Sequence, residues 1–285
     1  MSKLRAAFQG EAGAYSEQAL REILPDAESV PSPLLRDVFD LLVSGEVDLA
    51  VAPVENSQAG SINETYDLLL EHSDTLHVRG EHELRVRHCL LARQGAQLAD
   101  VRRAYSHPQA LAQTAGWLRE RGIQAAAYED TAGAARFVAS ENDPEIAAVA
   151  SSRAADVYDL QVLAEGIEDN KTNRTRFLVV GMSPVAPLDV EGKTSLVFST
   201  ANRPGSLYKA LGCLADNGVN LSKLESRPSR AARGWEYVFY VDCSGWADQP
   251  PLRTALSALA AESAWVKVLG SYPSVRPAEN DSMDD

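Results

Sequence analysis

The segment NKTNRTRFLVVG (170–181) sets three cations, Lys171, Arg174 and Arg176, within six residues of a chain whose formal net charge is −13. Asn173 and Thr175 stand among them, and the apolar run from Phe177 to Val180 follows at once. Groups of these types bind and orient an anion. A guanidinium meets a carboxylate through two parallel hydrogen bonds, and amides and hydroxyls complete its surroundings. Helix capping does not explain the cluster, because a helix N-terminus disfavours positive charge.

Four further segments place hydrogen-bonding groups just after apolar runs. GEAGAYSE (10–17) has glycines that let a backbone approach closely, with Gly13 and Ala14 ahead of Ser16 at a helix start that favours an anion. ENSQAGS (55–61) includes Asn56 and Ser57, and five of its seven side chains can hydrogen-bond, more than one helix cap uses. SHPQAL (106–111) offers Ser106, His107 and Gln109 around a proline suited to the first helical turn. EDTAGAAR (129–136) places Thr131 and Ala132 at another helix start. Together these segments suit a small polyanion. They contain no nucleophile–base–acid triad, no phosphate loop and no metal-ligand spacing, and the GxxG spacing argues against a dinucleotide. The expected chemistry needs neither cofactor nor metal.

These segments must be positioned by parallel βαβ units, because β-rich runs alternate with amphipathic helices through residue 181. Leu4–Gln9 and Asp48–Val54 read as strands, and Tyr15–Leu24 and Leu34–Gly45 as helices. Residues 109–122 read as a single helix, and Leu76–Leu91 as one strand crossing to a second lobe. The expected catalytic region is therefore bilobed, with lobe one at about 1–78 and 162–181 and lobe two at about 79–161. Prolines and a glycine mark a linker at 182–193. Residues 194–273 then show the βαββαβ order of a ferredoxin-like domain, and 274–285 lack any core-forming pattern.

Composition limits the alternatives. At 285 residues with 45% hydrophobic and 24% charged residues, two or three soluble domains are expected. The acidic balance excludes a nucleic-acid surface, which requires clustered cations. No run approaches the roughly 18 apolar residues of a membrane span. Cys89, Cys213 and Cys243 lie far apart with no CxxC, so they read as reduced, half-buried thiols in a cytoplasmic protein.

FQGEAGAYSE, PVENSQAGS, SHPQAL, EDTAGAA, AAVASSRAA and NKTNRTRF, in this order, resemble the signature segments of the prephenate dehydratase family. NRPGSLYKAL and LSKLESRP within 194–272 resemble its ACT regulatory domain, and the overall resemblance is to the monofunctional form. It implies an α/β fold with two parallel-sheet lobes like type II periplasmic-binding folds. It also implies decarboxylating dehydration of prephenate to phenylpyruvate, with L-phenylalanine as effector and a homodimer or homotetramer. By this resemblance Thr175 would donate a hydrogen bond to the departing oxygen, polarised by Arg176, with Asn56 and Ser57 beside them. Gly13, Ala14, Ser106, His107, Gln109, Thr131, Ala132, Asn173, Arg174 and Phe177 would bind substrate. Asn202, Pro204, Gly205, Ser206 and Leu207, facing Leu224, Glu225 and Ser226, would bind the effector. GEAGAYS departs from the GPxGTFS form of many bacterial members towards arogenate-using relatives, so arogenate dehydration is one alternative. A non-catalytic sensor of small anions and amino acids is the other.

Overall fold

The structure, a computed structural model, describes residues 3–228 and 237–274. Lobe one begins with β1 (Arg5–Gln9), α1 (Tyr15–Ile23), β2 (Glu28–Ser32), α2 (Leu35–Val43) and β3 (Leu49–Asn56). The short β4 (Gly60–Ser61), α3 (Asn63–Glu71) and β5 (His77–Arg85) follow. Lobe two contains β6 (Cys89–Arg93), β7 (Arg103–Ser106), α4 (Pro108–Gln113), α5 (Ala115–Glu120) and β8 (Gln124–Ala127). It continues with α6 (Thr131–Ser140), β9 (Ile146–Ala150), α7 (Ser152–Tyr158) and β10 (Leu160–Glu165), after which β11 (Arg174–Gly181) returns to lobe one. The last part is β12 (Gly192–Ser199), α8 (Ser206–Ala215), β13 (Leu221–Pro228), β14 (Tyr237–Ser244), α9 (Leu252–Glu262) and β15 (Trp265–Pro273).

The two lobe sheets share one plan. Lobe one has the order β2-β1-β3-β11-β5, and lobe two, read from its far edge, has β8-β7-β9-β6-β10. In each, a strand from the other half of the chain enters next to the third strand, so the chain crosses twice. The expected α/β class is borne out, as is the ferredoxin-like order β13-β14-β12-β15 of the last sheet. Lobe two is buried on both sheet faces. Leu90, Ala92, Ala147 and Val149 belong to one core, and Cys89, Leu91, Ala148 and Ala150 to the other, the two-residue alternation that a covered strand requires.

Three local expectations change. The crossing strand at 76–91 is two strands, β5 and β6, separated at Val86–His88. The helix expected over 109–122 breaks at Thr114, whose hydroxyl donates back to Ala110 O at 2.9 Å while the Asp169 carboxylate caps the next helix at Gly116 N, also at 2.9 Å. Strand β12 starts at Gly192, inside the expected linker. Of the thiols, Cys89 and Cys243 are fully buried and only Cys213 is partly exposed, and burial pushes the Cys89 thiol up to about 11. Apart from Ser274, the expected tail lies outside the described residues.

By contact density the chain divides into residues 1–65 with 82–177, and 66–81 with 178–285. The second unit thus joins the last sheet to one segment of α3 and β5. Tyr66 and Tyr240 pack at 4.8 Å between ring centroids, and Arg227 meets Asp67 through Nη1 at 2.9 Å and Nη2 at 3.3 Å. Gly270 of β15 lies so close to β5 that a Cβ there would fall 2.1 Å from the Val78 carbonyl oxygen. Gly270→Ala is therefore expected to lose about 1–3 kcal/mol of stability in urea unfolding, as overpacked sites do. An unchanged midpoint would contradict this packing.

Candidate active site

Two cavities open on the first unit. The larger, about 750 Å³, is lined by charged side chains, among them Arg85, Arg87, Lys171 and Arg174 facing Glu22, Glu83, Glu165 and Glu168. The smaller, about 260 Å³, collects side chains from most of the segments singled out in the sequence: Asn56, His107, Gln109, Thr131, Asn173, Thr175 and Phe177. We take the smaller as the site, because the hydroxyls, amides and imidazole singled out in the sequence gather there from both lobes.

Strand geometry separates the basic cluster. Successive residues of β11 point to opposite faces, so Thr175 and Phe177 line the smaller cavity, whereas Arg174 lines the larger. Arg176 falls on the strand face of Arg174 and is not among the residues lining the smaller cavity. The hydroxyl of Thr175 receives a hydrogen bond from Asn56 Nδ2 at 2.9 Å.

Among the described residues no lysine or arginine lines the smaller cavity, but three helix starts do. Tyr15 and Ser16 open α1, His107 caps α4 and accepts from Gln109 N at 3.2 Å, and Asp130 caps α6 by accepting from Gly133 N at 2.8 Å. The N-terminal ends of α1 and α6 supply partial positive charge without a cation. Thr131, placed by the sequence at a helix start, is the first helical residue of α6, and the cap is Asp130.

Several expected contacts are taken by the fold itself. Gly13 N donates to Glu17 Oε2 at 2.7 Å and Gly13 O accepts from Ser151 Oγ at 2.6 Å, so its backbone is engaged, and neither Gly13 nor Ala14 lines the cavity. Ser106 is fully buried with its hydroxyl on Val149 O, and Ala132 is fully buried in α6. Ser57 holds β11 from outside the cavity: its N–H donates to Arg174 O at 2.9 Å and its Oγ accepts from Arg174 N at 3.0 Å. The residues that pattern reading missed are Tyr15, His88, Gln113 and Asp130. Of these, only Asp130 carried a usable signal, as a capping residue three positions ahead of Gly133.

The GEAGAYSE loop also ties lobe one to lobe two. Glu11 pairs with Arg136 at 2.8 Å, Tyr158 Oη donates to Ala12 O at 2.8 Å, and Glu17, only 3% exposed, lies 3.3 Å from Arg153. Burial alone would raise the Glu17 carboxyl, but the Gly13 N–H, the Arg153 guanidinium and the Ser29 hydroxyl outweigh it and hold the pKa below the ordinary value. A lowered carboxyl pKa contributes stability that is present above its ordinary value of 4.5 and lost as pH falls through the folded value. Glu17→Gln is expected to destabilise the protein at neutral pH and to flatten its loss of stability on acidification. An unaltered acid limb in urea unfolding would exclude this role.

In the last unit the effector candidates fall into two groups. Asn202, Pro204 and Gly205 form an exposed turn, with Gly205 at φ +83° leading into Ser206 and the half-buried Leu207 of α8. On the edge strand β13, alternation leaves Leu224 and Ser226 exposed and turns Glu225 inward, 3.3 Å from Lys223.

A bilobed α/β cleft rimmed by helix starts, followed by a ferredoxin-like domain, suits a small-molecule enzyme with an ACT domain, and comparison with known proteins agrees on both parts. The prephenate dehydratase family profile matches residues 6–184 and the ACT domain profile matches 194–261. The chain belongs to the prephenate dehydratase family and is a dehydratase. Over 95% of this chain and 73% of its relative, it is 44% identical to Arogenate dehydratase/prephenate dehydratase 2, chloroplastic, of Arabidopsis thaliana. It is 43% identical to Arogenate dehydratase 2 of Petunia hybrida, over 96% of this chain and 72% of that one. The solved prephenate dehydratase of Arthrobacter aurescens in complex with L-Phe superposes with a TM-score of 0.86 at 30% identity, covering 97% of this chain and 92% of that one. A structure described as GqqA, a novel type of quorum quenching acylases, superposes at 0.88 with 38% identity, covering 95% and 98%. One expectation is corrected by these relatives. Several are chloroplastic proteins, which points to a plastid rather than the cytoplasm. Composition and thiol usage carry no such address.

Proposed function

We propose that the chain converts prephenate to phenylpyruvate, carbon dioxide and water. The observation that carries this reading is the Asn56–Thr175 pair in a cleft rimmed by helix starts. In the reaction the bond to the ring carboxylate breaks, its electrons complete an aromatic ring, and the ring hydroxyl leaves from the opposite carbon as hydroxide, which takes a proton from solvent to become water. Aromatisation supplies the driving force. The protein therefore needs to hold the reacting conformer and to stabilise charge on the departing oxygen. Thr175 would do the latter. Its oxygen accepts from Asn56, so its own hydrogen is free to point at the leaving group. The N-terminal ends of α1 and α6 would hold the carboxylates, with His107 and Gln109 beside them.

Arogenate is the second reading, and one observation favours it. The cleft contains the Asp130 carboxylate and, among the described residues, no cation, which suits a substrate bearing an ammonium group. The names of the plant relatives point the same way. An acylase reading is less well supported. The hydroxyl–imidazole pair of the cleft is Tyr15 with His88, and burial, with the nearby Cys89 and Glu168, raises the phenol pKa and makes it a poor nucleophile.

The ACT domain would bind L-phenylalanine at the 202–207 turn together with the exposed Leu224 and Ser226, in a homodimer or homotetramer. Supporting this are the exposed edge strand β13 and the L-Phe complex of the Arthrobacter relative. The test is an assay of purified protein with prephenate and, in parallel, arogenate, each with and without L-phenylalanine. Turnover of prephenate that falls on adding phenylalanine is the expected result. Turnover of arogenate alone would reassign the substrate, and folded protein inert with both would favour the sensor.

A further inference from the structure

His88 sits where the chain crosses from lobe one to lobe two, and it is only 2% exposed. Its backbone N–H donates to Glu168 Oε2 at 2.9 Å and its carbonyl accepts from Ile167 N at 3.1 Å, which binds the outgoing crossing to the returning one. Its ring reaches both lobes. Nδ1 lies 2.7 Å from Tyr15 Oη in lobe one, and Nε2 lies 2.8 Å from Gln113 Oε1 in lobe two.

From that ring a chain of amides runs to Thr175, and its direction can be deduced. The backbone N–H groups of Gln58 and Ala59 lie 3.0 and 2.9 Å from Asn56 Oδ1. Backbone N–H groups can only donate, so the Asn56 atom facing them is oxygen and its other end is the NH2 group. That NH2 group faces Asn173 at 2.8 Å, so the Asn173 atom there is oxygen. The Asn173 NH2 then faces Gln113 at 3.2 Å, where Gln113 must present oxygen, and the Gln113 NH2 donates to Gln58 Oε1 at 3.0 Å. An oxygen of Gln113 facing His88 Nε2 requires hydrogen on that nitrogen. Nδ1 of the neutral ring is left with a lone pair for the Tyr15 hydroxyl, whose single hydrogen then goes to Nδ1 at 2.7 Å rather than to the Arg87 carbonyl oxygen at 3.0 Å.

We propose that His88 is a positioning residue for the dehydration: as the neutral ring with hydrogen on Nε2, it holds Gln113, Asn173 and Asn56 in the one direction that leaves the Thr175 hydrogen facing the substrate. This rests on the dehydratase reading of the cleft. The opposite tautomer would set a lone pair against Gln113 oxygen, turn that amide over, and bring two NH2 groups together at Asn173. Burial holds the imidazole pKa below its ordinary value, opposed by the Gln113 hydrogen bond and by Glu168, so the ring is neutral at physiological pH. The ionisable groups around it are Tyr15, Cys89 and Glu168, with His107 on the same cavity.

Nitrogen NMR of the full-length protein labelled in histidine tests this directly, with the His88 signals among the five histidines assigned by their loss in His88→Gln. At neutral pH, hydrogen on Nε2 and a bare Nδ1 are expected. Hydrogen on Nδ1, or a doubly protonated ring, would overturn the proposal. In parallel, Gln113→Leu is expected to lower kcat for prephenate by about tenfold or more with KM changed by less than about threefold. Gln113→Glu keeps oxygen towards both His88 and Asn173 and is expected to restore most of that loss. Equal losses in the two variants, or a change in KM alone, would count against the proposal. Wild-type protein inert with both prephenate and arogenate would instead remove the dehydratase reading, while the spectrum would still decide the tautomer.

Discussion

The cleft depends on the Asn56 side chain, which is fixed before any substrate arrives. Its oxygen is held by two backbone N–H groups of its own loop, which turns back as β4 pairs with the end of β3. Its NH2 group is thereby aimed at the start of β11, within reach of Asn173, Arg174 O and Thr175. Backbone donors cannot reverse, so this amide cannot either. The orientations of the Asn173 and Gln113 amides follow from it, and such preorganised dipoles are effective where charge develops late in a reaction. Ser57 adds a second anchor by exchanging hydrogen bonds with Arg174.

The separation of Thr175 from the cations has a physical logic in the proposed reaction. A guanidinium paired with the carboxylate that leaves as carbon dioxide would stabilise the ground state more than the transition state. Helix ends and neutral amides can orient a carboxylate at lower cost in barrier height. Lys171 and Arg174 instead face acidic partners across the larger cavity. Ionic strength should therefore affect the lobes' mutual packing more than the chemistry.

Much of the fold was legible because parallel βαβ units leave plain marks, as in the continuous apolar run of β3 and the glycine or capping residue where strands give way to helices. Asn56, His107, Gln109, Thr131, Asn173, Thr175 and Phe177 were legible as polar or terminal residues after such runs. Pattern could not show which side chains share a face once a strand is placed, so Arg174 and Arg176 were grouped with Thr175 although alternation parts them. Gly13 looked like a ligand-binding glycine, whereas its backbone is engaged by Glu17 and Ser151. His88 and Gln113 were missed for another reason. His88 lies in the mixed polar and apolar stretch read as one crossing strand, which carries no loop or helix-start signal, and Gln113 faces the cleft because the helix breaks at Thr114 under the distant Asp169 carboxylate.

The most direct test of the account is the turnover of prephenate by Thr175→Ser beside Thr175→Val, in protein whose unfolding midpoint matches wild type. Serine keeps a hydroxyl that can accept from Asn56 and donate outward, whereas valine keeps the shape and loses both. The account requires kcat to survive within about tenfold in the serine variant and to fall by about a hundredfold or more in the valine variant, the size of effect that losing one preorganised donor produces. Near-normal kcat in Thr175→Val would contradict it, because the Thr175 hydroxyl would then have no part in the departure of the oxygen.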